Sequence, residues 1–323
     1  MHVTILRGGP SSEYERSLRT GALVNRTLRD SHNVIDIFID PEGQWHRDGL
    51  PVSERQVLTH TDLVWNALHG EYGEDGKVQQ LLEQFGVPYT GSGALAASSA
   101  WRKDLAQQIL VDAGMMVPQT ILMDSSHNPE EVARQAFRQI GGQYVVKPAR
   151  GAFSHGVRAV RSYQELPSVL TAMIDWHEHL LLQEAVHGVE VKCLVVDGFR
   201  NQEHYVSLPV EIVKGSRFAI HDPSLEDNEY LAPASLTKTE KDLLMQTALR
   251  AHRTLGLEGY SSVDMILRRR LARHSLGDGG GVVILEVDAL PPLGEPDHIP
   301  QALQATGVTL PELIHHITEF SLV

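Results

Sequence analysis

The 323-residue chain has one cysteine, Cys193, so no disulfide can form within it. A lone thiol fits a reducing compartment. Long apolar runs are also missing: no stretch approaches the roughly 20 residues needed to cross a bilayer. The first residues, MHVTILRGG, lack the basic start and long apolar core of a signal peptide. Together these features lead to the expectation of a cytoplasmic protein with no membrane partner. Positive charge is in the minority, with 28 Lys and Arg against 41 Asp and Glu and a formal net charge of −13. Such a field repels polyanions, which argues against nucleic acid as a partner but leaves room for a local basic pocket. The 17 histidines are scattered and form no H-E-x-x-H grouping. Internal repeats and low-complexity tracts are absent.

The chain is too long for one small core, so two or three domains are expected. Residues 2–6, 33–39 and 63–68 read as strands, with helical periodicity over 17–29 and 77–85. That order implies a parallel α/β unit, which binds ligands at the C-terminal ends of its strands. Gly8-Gly9 and His69-Gly70 lie at such ends. The turn Gly91-Ser92-Gly93 marks a boundary, and a long helical stretch over 94–113 follows. Strands are expected at 120–123, 144–147, 179–184, 190–196, 205–213, 261–267 and 281–288, and helices at 237–255 and 310–320. The polar segment 214–234 shows no periodicity, as in a functional lid or an unstructured loop.

Three groups of residues could carry chemistry. In SSVDMIL and GVVILEVDAL, Asp264, Glu286 and Asp288 would share one face if the two strands pair. Three such carboxylates repel one another unless a cation lies between them, and oxygen-only ligands suit Mg²⁺ or Mn²⁺. The alternative is a hairpin face turned to water. Lys147 ends the apolar strand YVVK and precedes the small-residue loop PARGAFSHG, which could bring backbone N–H groups to phosphate oxygens. Lys103 lies on the helical stretch AWRKDLAQQIL. Alone, each lysine is more often a surface charge and such a loop more often a plain turn. In LLLQEAVHGVE, Gln183 and Glu184 at a strand end could meet an adenine amino group, and Glu190 could accept from ribose hydroxyls.

The order of these features resembles the D-alanine–D-alanine ligase family of the ATP-grasp superfamily. The matches are GGPSSEYERSLRTG, ALHGEYGEDGKVQ, GVPYTGSGALAASSAWRK, VVKPARGAFSHGV, LLLQEAVHGVEV, the LP of SLPVEIV, LGLEGYSSVDM and ILEVDALPPL, collinear over almost the whole chain. The resemblance implies an α/β (α+β) ATP-grasp fold. An N-terminal parallel α/β substrate domain (1–92) would precede central (93–184) and C-terminal catalytic (185–323) ATP-grasp domains. It implies ATP bound by Lys103, Lys147, Ser154, Gln183, Glu184, Val186 and Glu190, and two Mg²⁺ held by Asp264, Glu286 and Asp288. Glu15 would receive the ammonium group of the first amino acid and His69 would lie beside it. On the residues alone, Glu15 reads as a helix-terminus charge and His69 as a loop histidine satisfied by backbone. The activity implied is carboxylate–amine ligation through an acyl phosphate in peptidoglycan precursor synthesis, by a homodimer acting on small amino acids.

The acceptor half departs from the family pattern. Ser262 stands where the family has an oxyanion-binding arginine, Pro292 where it has a glycine N–H, Asp297 where a serine holds the acceptor carboxylate, and Phe153 replaces a flap serine. A lysine–tyrosine pair is not recognisable in 217–234, although His221 there could act as a base or stand in solvent. Two further functions are therefore set beside the first: a ligase that joins D-alanine or another amino acid to a different acceptor, and an ATP-binding regulator that has lost catalysis.

Overall fold

The computed structural model describes residues 1–151, 156–213, 229–268, 281–294 and 297–322. The expectations for Phe153, Ser154 and His221, and for most of 214–234, lie outside these residues. Three sheets organise the chain. The first contains β1 (His2–Gly8), β2 (Asn33–Ile39), β3 (Trp45–Arg47), β4 (Leu50–Pro51) and β5 (Leu63–Asn66) in the order β4-β3-β2-β1-β5. Strand β1 pairs in parallel with both β2 and β5, as the strand–helix–strand order requires. Strands β1 and β5 are buried on both faces over most of their length, whereas β2 alternates buried and partly exposed residues. Helices α1 (Tyr14–Leu28), α2 (Glu54–Leu58) and α3 (Lys77–Phe85) accompany this sheet.

The second sheet is antiparallel: β6 (Thr120–Asp124), β7 (Tyr144–Pro148), β8 (Arg158–Val160) and β9 (His179–Glu184), in the order β6-β9-β7-β8. Two helices absent from the sequence expectation, α6 (Pro129–Gln139) and α7 (Leu166–Ile174), cover its apolar face through Val132, Ala136, Leu166 and Leu170. Helix α6 starts with Asn128, whose side chain accepts the Glu130 N–H, followed by Pro129 at the first turn.

The third sheet holds β10 (Val189–Asp197), β11 (His204–Val206), β12 (Val210–Val213), β13 (Glu229–Leu231), β14 (Tyr260–Arg268) and β15 (Gly281–Asp288). The strand expected over 205–213 divides in two at Ser207-Leu208-Pro209, and both halves pair with β10. Part of the segment expected to be irregular, Glu229–Leu231, forms an antiparallel strand on β12. Helix α8 (Lys238–Thr254) covers one face of this sheet. Its start carries a capping box in which Thr237 and Glu240 satisfy each other's backbone N–H. Helices α9 (Ile299–Gln304) and α10 (Leu310–Phe320) return the chain to the first sheet, where Leu313, Ile314 and Ile317 join the core of Val3, Ile5, Val24 and Leu28.

The helical stretch expected over 94–113 is broken. Helix α4 (Ala94–Trp101) ends at Arg102, whose backbone is extended, and α5 (Lys103–Asp112) begins at the next residue. The break is held from the second sheet, since Lys103 N–H donates to Ala149 O at 3.0 Å and Arg102 bridges to Arg150. Ala100, Ala106 and Leu110 of these helices are buried in the core of the third sheet. The residues between the first two sheets therefore pack on the third.

Candidate active site

The cleft is built from all three sheets. At the end of β5 the chain turns through His69 and Gly70. His69 is buried, with Nε2 2.8 Å from Thr20 Oγ1 on α1 and Nδ1 3.5 Å from Glu74 Oε1. Burial pushes its pKa down to about 4 and so keeps it neutral. Glu74 accepts the Gly70 N–H at 2.9 Å, and burial raises its pKa to about 8. Gly70 has φ +80°, and a Cβ there would collide with Ser11 and press on Glu13. The turn therefore needs glycine on both counts. Besides Glu74, the acidic residue beside this turn is Glu13. It is buried at the start of α1, with Oε2 3.2 Å from Arg16 Nε. Glu15, the residue expected to receive an ammonium group, lies one turn position on, exposed in the first turn of α1. The helix phase turns it away from the loop.

The second sheet contributes the lysines. Lys147, near the end of β7, is 7% exposed, and its Nζ reaches Leu285 O on β15 at 3.4 Å. Burial lowers its pKa to about 8 while Glu286 opposes the fall. Lys103 owes its position to the helix break at Arg102. Its ammonium donates to Gly151 O and lies 2.8 Å from Glu286 Oε1. Both lysines thus reach from the second sheet to the third.

On the third sheet, β14 and β15 pair with Asp264 opposite Glu286 and Ser262 opposite Asp288. Directly opposed residues share a face, so the three carboxylates come to one face of the sheet, as the spacing anticipates. How they meet was not visible in the sequence. Register shifts between Asp264 and Met265, because Leu285 is an extra residue on β15. Val282 and Ile284 face the core before this bulge, and Val287 and Ala289 face it afterwards. Without the bulge, Glu286 would fall on the core face with Ile284; the added residue reverses the alternation and delivers Glu286 and Asp288 to the cleft. Burial raises the Asp288 pKa well above the ordinary carboxylate value, and Glu74 adds to the rise. Burial also works upward on Glu286, but Lys103 and Lys147 outweigh it and hold Glu286 below its ordinary value. A partly exposed acidic group of this kind, made only of oxygen ligands on one face, fits a divalent cation such as Mg²⁺ or Mn²⁺.

Ser262 is 2% exposed, and its Oγ is 3.1 Å from His298 Nε2. Asp297 does not stand as a lone anion, because its Oδ2 is 3.3 Å from Arg16 Nη1. Between the second and third sheets, Glu184, Ala185 and Val186 are partly exposed where β9 passes to β10. Glu184 Oε1 is held by Arg268 Nη2 at 2.7 Å and by the Gln119 N–H at 3.2 Å. Gln183 turns inward and donates to Thr120 Oγ1 at 2.9 Å, so its side chain is occupied away from the strand end. Glu190 lies on β10 opposite Ile266; burial raises the pKa of Asp264, and Glu286 and Glu190 add to the rise. Four residues of this cleft went unassigned in the sequence reading: Glu13, Glu74, Lys192 and His298. The GEDG turn points to Glu74 and the motif GGPSSEYERSLRTG holds Glu13 beside Glu15, but nothing in the local pattern marks Lys192 or His298.

Two antiparallel sheets bridged by lysines from one side and carboxylates from the other, behind a parallel α/β unit, form the ATP-grasp arrangement of ATP-dependent ligases. Comparison with known proteins makes this particular. A model of the D-ala D-ala ligase C-terminus matches residues 109–319, and one of the N-terminus matches residues 46–92. The chain is 31% identical over 330 residues to a D-alanine–D-alanine ligase of Carboxydothermus hydrogenoformans, covering 100% of this chain and 98% of that one. It superimposes with TM-score 0.85 on the VanG D-Ala:D-Ser ligase of Enterococcus faecalis, at 23% identity and 99% coverage of each. With a Bacillus anthracis D-alanine–D-alanine ligase solved in complex with ATP, the TM-score is 0.77 at 25% identity, covering 100% of this chain and 97% of that chain. The chain belongs to the D-alanine–D-alanine ligase family. No helix among the described residues is long and apolar enough to cross a membrane.

Proposed function

We propose that the chain uses ATP and Mg²⁺ to join the carboxyl group of D-alanine to the amino group of a second small amino acid, in the supply of peptidoglycan precursors. The observation that carries the reading is the meeting of Lys103 and Lys147 with Glu286 in the cleft that also holds Asp264 and Asp288. Lysines and oxygen-liganded cations are what a transferring phosphoryl group requires, because its charge spreads over three oxygens. Asp264, Glu286 and Asp288 would hold Mg²⁺, which supplies charge neutralisation at the phosphates. Lys103 and Lys147 would bind phosphate oxygens, and the Glu184–Val186 segment with Glu190 would take the nucleoside.

Glu13 rather than Glu15 is the carboxylate suited to the donor's ammonium group, since it is buried against the His69–Gly70 turn. Neutral His69 would orient the donor without repelling that ammonium. The donor carboxylate attacks the γ-phosphorus, the bond to ADP breaks, and an acyl phosphate results. The acceptor nitrogen then attacks the acyl carbon, phosphate leaves with the bonding pair, and the nitrogen gives up its proton. The protein's part is to orient the partners, offset charge and keep water out.

A different acceptor is the second reading. Ser262 is tied to His298, Pro292 has no N–H, and the Arg16–Asp297 pair offers both charges at the acceptor end. The family resemblance adds the expectation of a homodimer, which sedimentation of the purified chain would test. The function is tested by phosphate release from Mg²⁺–ATP with D-alanine alone, then with a panel of amines and hydroxy acids. Release in at least one arm, with the ligated product detected, is expected. ATP binding without release in any arm would instead support a regulator.

A further inference from the structure

Lys192 has no part in the phosphate contacts described so far. It lies on β10 in register with Asp264 on β14, and its Nζ is 2.7 Å from Asp264 Oδ2. Directly opposed residues of an antiparallel pair point to the same face, so the sheet itself fixes this contact. Lys103 differs, because it reaches Glu286 from the start of α5, across the cleft. A bound phosphate can draw Lys103 away, whereas the β10–β14 register keeps the Lys192 side chain beside Asp264. The two lysines approach the opposed pair Asp264 and Glu286 from different sides. Lys103 shares the Gly151 loop and the phosphate side with Lys147. The charge of Lys192 is felt by Tyr230, Asp297 and His298, at the acceptor end. Among the described residues, Arg16 is engaged there with Glu13 and Asp297, and Arg19 also acts on Asp297. Ser262, two residues before Asp264 on the same face, carries no charge and is bonded to His298. The second step of ligation places a full negative charge on the acyl oxygen, and that charge needs a donor fixed in advance.

We propose that Lys192 is a catalytic residue of the acceptor half-reaction, its ammonium held by Asp264 on one side and donating a hydrogen bond to the oxyanion of the tetrahedral adduct on the other. As the acceptor nitrogen's lone pair forms a bond to the acyl carbon, the C=O π pair moves onto oxygen, where the Lys192 N–H meets it. When the pair returns, the C–O bond to phosphate breaks, phosphate departs with those electrons and the nitrogen releases its proton. Lys192 keeps its own proton throughout. The inference rests on the ligase reading above, and it assigns to β10 a charge that the neighbouring strand lacks.

The test separates the two half-reactions in the full-length protein. Positional isotope exchange in ATP labelled at the β,γ-bridging oxygen, with D-alanine and no other acceptor, reports acyl phosphate formation, and any dipeptide formed in the same reaction is counted as transfer. Product formation with an acceptor reports transfer, and Mn²⁺ binding in the presence of a non-hydrolysable ATP analogue reports the carboxylates. Lys192→Met is expected to leave isotope exchange within about threefold, while transfer falls about 100-fold or more, the usual effect of removing an oxyanion donor. Lys192→Arg should restore most of the transfer, and Mn²⁺ should bind Lys192→Met at least as tightly as the parent. Lys192→Gln, which can still donate to Asp264 but carries no charge, gives the same test if the methionine variant does not fold. Equal losses in both half-reactions, loss of Mn²⁺ binding, or unchanged transfer would overturn the proposal and leave Lys192 as a support for Asp264 or a bystander. No isotope exchange in the parent protein with any amino acid would contradict the ligase reading itself.

Discussion

Glu13 and Glu15 stand two residues apart in one motif, and the sequence offers no means of choosing between them. Burial does: Glu13 is 4% exposed against the Gly70 turn, whereas Glu15 is exposed in the first turn of α1. Glu13→Gln should therefore lower activity about 100-fold or more, with a raised KM for the first amino acid. Glu15→Gln should stay within about threefold, the cost of a helix-terminus charge in water. Steady-state kinetics of the two variants check this. His69 gives a prediction in pH. Its folded pKa of about 4 lies below its ordinary 6.5. The unfolded chain therefore binds a proton first, and the contribution is intact above pH 6.5 and is lost as pH falls from 6.5 towards 4. The loss amounts to about 2–3 kcal/mol. Urea denaturation at pH 7 and pH 4.5 should show that the parent loses more stability between the two than His69→Gln does, by about that amount. Equal losses would mean that His69 is charged in the fold.

Elements show what the sequence could and could not reveal. Parallel strands β1, β2 and β5 are legible as short apolar runs, whereas the pairing of β14 with β15 enters the sequence reading only as a condition, which the structure meets. Breaks within elements were not legible. The helix interruption at Arg102 has no proline or glycine to announce it. It is held by the Lys103 N–H to Ala149 contact, which joins residues 46 positions apart in sequence (149 − 103). The bulge at Leu285 is likewise invisible in GVVILEVDAL, where simple alternation puts Glu286 with the core residues Val282 and Ile284. Both irregularities serve the cleft, one aiming Lys103 and the other turning two carboxylates outward. Deleting Leu285 should restore the alternation and force Glu286 and Asp288 towards the core. Burying unpaired carboxylates costs several kcal/mol each, so thermal unfolding of the deletion variant should show a much lowered Tm and Mn²⁺ binding should vanish. A deletion variant of unchanged stability and metal affinity would mean that the bulge does not set the facing.

At the scale of the molecule, the chain's last helix closes onto its first sheet. Leu313, Ile314 and Ile317 of α10 are at most 1% exposed and complete the core around Val3 and Ile5. Three such side chains contribute about 5–9 kcal/mol by burial, comparable with the whole stability of an ordinary domain. A chain ending at residue 308 should therefore fail to give a cooperative unfolding transition in calorimetry, even though every proposed site residue is retained. The same architecture brings a lysine-bearing sheet, a carboxylate-bearing sheet and the His69 turn around one cleft. The central claim is that this cleft couples ATP cleavage to ligation of an amino acid. Phosphate release from Mg²⁺–ATP, followed with D-alanine in the presence and absence of acceptor amino acids and with mass spectrometry of the products, tests it most directly. The account predicts release that depends on D-alanine and matches ligated product one for one. ATP that binds while no amino acid elicits phosphate or product would contradict it.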